Sequence, residues 1–133
     1  MLQWSSQYET GVPLVDTQHK VLFEHINKLE AMTHSAHIPA GDVDRLVHFL
    51  EGYVVNHFKF EEQCMNRYHC PSHEENIQAH AAFLAAFGKL KVEYQVQGPT
   101  AAFLQKLHTA ASSWIHQHIL KVDIRLKTVV PKT

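Results

Sequence analysis

Four stretches of the chain carry apolar residues at the three-and-four spacing of a helix, and none sustains the alternation of a strand. The first, over about residues 17–36, puts Leu22, Ile26 and Leu29 on one stripe, with Asp16 or Thr17 placed to cap it. The second, over about 41–67, carries Leu46, Leu50, Tyr53 and Val54 and runs on into His57, Glu61 and Met65. The third, over about 72–97, groups Ile77, Leu84, Phe87 and Leu90 with His80. The fourth, over about 100–127, aligns Phe103, Leu107, Ala111, Trp114 and His118. Gly11 and Pro13, Pro39 and Gly41, Pro71, and Gly98 with Pro99 fall between these stretches. Short loops make successive long helices antiparallel neighbours. The predicted fold is therefore all-α, an up-down-up-down antiparallel four-helix bundle spanning 1–133 as a single domain. Residues 1–15 form an irregular arm, with Trp4 and Val12 available to pack on the bundle.

The stripes are not purely apolar. His57 and Glu61, in "HFKFEE", are four residues apart and share a helix face. If that face is buried, two polar groups stand where leucine would cost less. His19 stands on the first stripe, His80 on the third, and His118 with Asp123 at the end of the fourth. His19 is near the start of its helix, His57 and Glu61 lie late in theirs, His80 early and His118 late. Up-down topology brings all of them to one end of the bundle. Imidazole nitrogens and carboxylate oxygens gathered in a core suit zinc, iron or manganese. Two carboxylates able to bridge, with several histidines, suit two metals better than one.

Composition agrees. There are 12 histidines in 133 residues, scattered rather than in a tag-like run. Of these, His25, His34, His37, His48, His108 and His116 fall off the shared level or off the stripe and read as surface or boundary residues. The net charge is −1 and no basic stripe appears, which argues against a nucleic-acid partner. The start "MLQWSSQYET" is not a signal peptide, and no apolar run is long enough for a bilayer, so the expectation is a cytoplasmic protein without membrane contact. Cys64 and Cys70 are then free thiols.

The pieces "DTQH" (Asp16–His19), "HFKFEE" (His57–Glu62), "AHAAFL" (Ala79–Leu84) and "HILKVD" (His118–Asp123) resemble, in content and order, the hemerythrin family and its bacterial domains. The resemblance covers nearly the whole chain. It implies a bundle holding two non-haem iron ions with a bridging oxo or hydroxo group, which bind dioxygen reversibly. Glu61 and Asp123 would bridge the irons, His19 and His57 would hold the iron that receives dioxygen, and His80 and His118 would hold the other. Phe23, Phe58 and Trp114 are candidate walls of the dioxygen pocket.

The third helix departs from the family pattern. The family's His-x3-His would place its first histidine at position 76, where this chain has Asn76. His73 is two turns, about 10 Å, from His80 and cannot share its iron from a regular helix. Asn76 would then be a weak ligand or hold a water, leaving an altered, more readily oxidised site. The sequence reading is a binding domain rather than an enzyme: an oxygen or redox sensor, such as the sensory domain of a signalling protein like a diguanylate cyclase, whose C-terminal output domain would follow "RLKTVVPKT". The alternatives are a free-standing oxygen carrier or store, and a di-iron enzyme acting as peroxidase or oxidase or handling nitric oxide.

Overall fold

The computed structural model describes residues 2–35 and 37–131. Four helices dominate it: α1 (Pro13–Thr33), α2 (Ala40–Arg67), α3 (His73–Gln97) and α4 (Ala101–Lys121). Each of α1 and α3 packs against both α2 and α4, so the bundle is a square of neighbours around one core. Leu22, Ile26 and Leu29 of α1 meet Leu46, Leu50, Val54 and Phe58 of α2 and Phe103, Leu107 and Ile115 of α4. All are buried, and each such side chain withdrawn from water contributes roughly 1.5–3 kcal/mol.

Helix α1 starts earlier than its pattern suggests. Pro13 occupies the first helical position, where its missing N–H costs nothing and its fixed φ favours the turn. Asp16 and Thr17 are thus inside the helix, not at its cap. Asp16 instead accepts hydrogen bonds from the backbone N–H and the hydroxyl of Thr10, at 2.9 Å each, and so ties the arm to α1. The arm carries a 3-10 turn at Ser6–Tyr8, and its Trp4 and Tyr8 pack on Phe23. Helix α1 ends at Thr33; the anticipated end at Ala36 lies outside the described residues, as do Met1, Lys132 and Thr133.

The turn between α2 and α3 sits beside the polar cluster. His69 adopts a left-handed φ of 55°. The N–H of Cys70 reaches the carbonyl of Met65 at 2.9 Å and that of His69 reaches Asn66, the paired bonds that close a helix C-terminus. Met65 and Cys70 pack together with Val122 and Leu126 in a small second core. His73 opens α3, which runs unbroken through His80, so no local unwinding brings His73 inward.

Two features of the chain differ from its pattern. Leu84 was grouped with the inner face of α3 but is 37 % exposed; the buried side of that helix is Asn76, His80 and Phe87. Leu84 lies 40° round from His80, which already sits toward the α2 side, and so it turns to solvent. The fourth helix stops at Lys121, and Asp123–Thr128 follows as a 3-10 turn after a bend at Val122 (φ −117°, ψ −59°). Arg125 in that turn donates to the buried Ser72 hydroxyl at 2.9 Å, fixing the turn to the start of α3.

Candidate metal centre

His19, His57, Glu61, His80, His118 and Asp123 come together at one end of the core, and each is at most 6 % exposed. Glu61 lies at the centre. Its Oε2 is 3.1 Å from His19 Nε2 and 3.3 Å from His57 Nε2. Its Oε1 is 3.1 Å from His80 Nε2 and 3.9 Å from His118 Nε2. Asp123 repeats the division, with Oδ2 3.3 Å from His19 Nε2 and Oδ1 3.0 Å from His118 Nε2. Each carboxylate therefore offers one oxygen to a His19/His57 side and the other toward a His80/His118 side. Both clusters have donor atoms close enough together to surround an ion.

The bend at Val122 makes this possible. On a continuous helix, residues five apart point about 140° away from each other. His118 and Asp123 could not then face one site. Breaking α4 after Lys121 returns the Asp123 carboxylate to the side of His118.

Two residues outside the predicted set orient the imidazoles. Gln18 Oε1 accepts from His57 Nδ1 at 2.6 Å, and Glu62 Oε2 accepts from His80 Nδ1 at 2.8 Å. A neutral imidazole that donates through Nδ1 presents a bare lone pair at Nε2. In His57 and His80 the Nε2 atom faces a Glu61 oxygen at 3.3 and 3.1 Å, a contact that a proton or a metal ion can bridge. Gln18 and Glu62 directly adjoin His19 and Glu61 in the chain, and that adjacency was the only sign of them in the sequence.

Electrostatics point the same way. Burial opposes charge on His19 and His118, yet the carboxylates of Asp123 and Glu61 outweigh it and raise both imidazoles from 6.5 to about 9. Burial would raise Glu61, but contact with His118, His19, His57 and His80 holds it well below the usual 4.5. Without metal, protons supply the positive charge that these carboxylates demand. Even so, both Asp123 oxygens are buried without an aligned hydrogen bond, and His19 Nδ1 and Asn76 Nδ2 have no partner. Four imidazole nitrogens and two carboxylates of this kind match the donors that hold iron, manganese or zinc, so the residues present fit a two-metal centre.

Asn76 is fully buried, and its Oδ1 lies 2.8 Å from His118 Nε2. It thus stands at the edge of the His80/His118 cluster. His73 lies away from it, half-buried and lining a surface groove with Lys59, Glu62, Gln63 and Asn66.

Above the cluster the walls are apolar. Phe58 stacks on His80 with ring centres 3.8 Å apart, and Trp114 stacks on His118 at 4.3 Å. Both line a narrow cavity of about 20 Å³ with Leu22, Ile26, Val54 and Ile115. That is room for about one small molecule. A wider hollow of about 220 Å³ between α3 and α4 shares Phe83, Phe87, Leu107, Ala111 and Trp114 with it. Phe23 does not line this space; one residue on from Leu22, it points to the arm and meets Tyr8 edge-on at 5.0 Å. His116, off the stripe, bonds the Tyr8 hydroxyl at 2.8 Å. No helix among the described residues is long and apolar enough to cross a membrane.

Comparison with known proteins agrees with this geometry. The model of the hemerythrin HHE cation binding domain matches residues 10–129. A bacteriohemerythrin of Stenotrophomonas maltophilia (strain R551-3) is 26% identical over 121 residues, covering 90% of this chain and 74% of that protein. One from Pseudomonas aeruginosa (strain UCBPP-PA14) is 28% identical over 123 residues, covering 92% and 76%. One from Methylococcus capsulatus (strain ATCC 33009) is 25% identical over 129 residues, covering 92% of each.

Proposed function

The chain belongs to the hemerythrin family, and we propose that it is a non-haem di-iron, dioxygen-binding domain of the sensing kind, with one iron position altered by Asn76. His19 and His57 would hold one iron, His80 and His118 the other, and Glu61 and Asp123 would bridge the two. The observation that carries this reading is the division of each carboxylate between two imidazole groups. A single-ion site has no use for that division. When bound, a pair of ferrous ions supplies the two electrons with which dioxygen is held reversibly.

The chain's own residues do the rest. Glu61 and Asp123 offset the metal charge inside an apolar core. Gln18 and Glu62 keep the Nε2 lone pairs of His57 and His80 aimed inward. Phe58 and Trp114 keep water from the space above the imidazoles, and the narrow cavity admits small neutral molecules. Asn76 places an amide where a third nitrogen donor would complete the His80/His118 side. An amide oxygen is a weaker donor to iron than imidazole, so that side is left open to water and exogenous ligands, and this access is the route by which it would oxidise more readily. Instability toward oxidation suits a sensor better than a carrier. The cavity walls are wholly apolar, which supports binding over turnover. The separate Cys64 and Cys70 thiols fit a reducing compartment.

The experiment is an iron assay joined to visible stopped-flow spectroscopy. Two irons per chain and a transient charge-transfer band on mixing reduced protein with dioxygen are expected. A long-lived band would favour a carrier or store, and multiple turnovers of peroxide or nitric oxide would favour an enzyme. One iron per chain, or none, would overturn the reading.

A further inference from the structure

From the outer face of α3 we infer that this chain associates with a second copy of itself, through an antiparallel pairing of the two α3 helices. Helix α3 is the least amphipathic of the four: its core side carries the polar Asn76 and His80, and apolar side chains extend onto its solvent side. Ile77, Ala81, Leu84, Ala85, Gly88 and Val92 fall within an arc of about 100° on that helix. Leu84 is 37 % and Val92 59 % exposed, Ala81, Ala85 and Gly88 are exposed, and Ile77 is half-buried. The only charged residue in the arc is Glu74, at its N-terminal end. Single exposed leucines need no account, whereas a continuous apolar stripe does.

The stripe is complementary to itself. Place two α3 helices antiparallel with the two-fold axis between Ala81 and Leu84. Ile77 then meets Gly88 of the second copy, and Leu84 meets Ala81 of the second copy, so that large faces small at all four central contacts. Nothing lies within 4 Å of a Cβ built on Gly88, so the hollow that receives Ile77 is open. The same register brings Glu74 within two residues, about 3 Å of axial rise, of lateral alignment with Lys89 of the second copy. Symmetry gives that pair twice. Glu74 and Lys89 are exposed and have no ion-pair partner among the described residues, whereas Glu75 is taken by Arg125 and Lys91 by Glu51. Shape and charge therefore agree on one register, which is what distinguishes a second copy from an arbitrary apolar partner.

Sedimentation of the full chain from micromolar to millimolar concentration tests this without reference to iron chemistry. The wild-type chain is expected to pass from monomer to dimer. Leu84→Glu, at a position the monomer leaves in water, should keep its helicity and weaken the dimer about a hundredfold or more by burying two unpaired carboxylates, one from each copy, beside the axis. Lys89→Glu should weaken it about tenfold by facing Glu74 of the second copy, and Glu74→Lys with Lys89→Glu should restore it. A chain that stays monomeric at millimolar concentration would overturn the proposal and leave the stripe to a different protein. A dimer unmoved by Leu84→Glu would place the interface elsewhere, and failure of the double charge exchange to recover would overturn the antiparallel register.

Discussion

Replacing Asn76 by histidine should change the stability of this protein in opposite directions with and without iron. Position 76 is fully buried one helical turn before His80, with its side-chain oxygen 2.8 Å from His118 Nε2. In the metal-free protein, imidazole adds two heavy atoms to a closed site and brings a further nitrogen up to His118. Overpacking of that size costs about 1–3 kcal/mol, against which removal of the unpaired Asn76 Nδ2 returns about 1 kcal/mol or more. A net loss of about 1 kcal/mol lowers the melting temperature of a domain this size by roughly 3–5 °C. In the iron-loaded protein the new imidazole replaces a weak donor with a strong one. Changes even to residues that merely support ligands move metal affinity about 10–100-fold, so a gain of at least about tenfold, or 1.4 kcal/mol, follows for a direct donor. The assay is paired: thermal unfolding of the metal-free chains, and the rate of iron loss to a chelator from the loaded ones. Asn76→His should also slow oxidation of the reduced protein in air. If Asn76→His releases iron as fast as wild type, Asn76 is not next to a metal, and the altered-site argument fails even if the protein binds two irons.

Glu62→Ala should leave the fold intact, because Glu62 is half exposed to solvent at the surface, but cut iron retention about 10–100-fold by freeing the His80 ring, as read by the same chelator assay. Trp114→Ala should cost about 3–5 kcal/mol, measured by denaturant unfolding, and speed oxidation by letting water reach the space above His118. The metal-free protein should show a defined pH window. His19 and His118 are raised from 6.5 to about 9 when folded, so their contribution is complete below pH 6.5 and is lost as pH rises toward 9. Glu61 is lowered from 4.5, so its contribution is present above that pH and is lost as pH falls through its lowered value. Melting temperatures of the metal-free chain should therefore be highest between these limits, and iron, which takes the place of the imidazole protons, should abolish the decline toward pH 9.

The helices and five of the six clustered side chains were legible because a bundle writes its interior into the sequence at a fixed period. Val54, His57, Phe58, Glu61 and Met65 follow one another on α2 at helical spacing, and all are buried. A polar residue on such a stripe is conspicuous for the same reason that it is expensive. Residues that act from the side leave no periodic trace. Gln18 and Glu62 are ordinary helix-surface residues by pattern, and only the three-dimensional position of His57 and His80 gives them a task. The N-terminal arm was similarly opaque: nothing local indicates that Tyr8 will be buried against Phe23 and bonded to His116, which lies 108 residues away in the chain.

Asp123 shows how a residue that does reach the cluster can be found for an incomplete reason. Its place at the end of α4 suggested that it shares the inner stripe with His118, yet helical geometry puts residues five apart on different sides. What carries Asp123 inward is the break after Lys121, and three contacts hold that break: Val122 and Leu126 in the small core with Met65 and Cys70, and Arg125 on Ser72. These contacts reach Met65 in the last turn of α2 and Cys70 and Ser72 in the short turn that leads into the helix bearing Asn76 and His80. The carboxylate farthest along the chain is thus positioned by the loop that also positions the third helix. A disturbance of that loop should move Asp123 and Asn76 together, so Arg125→Ala, though distant from every candidate ligand in sequence except Asp123, is expected to weaken iron retention on the His80/His118 side before it lowers the melting temperature of the metal-free bundle.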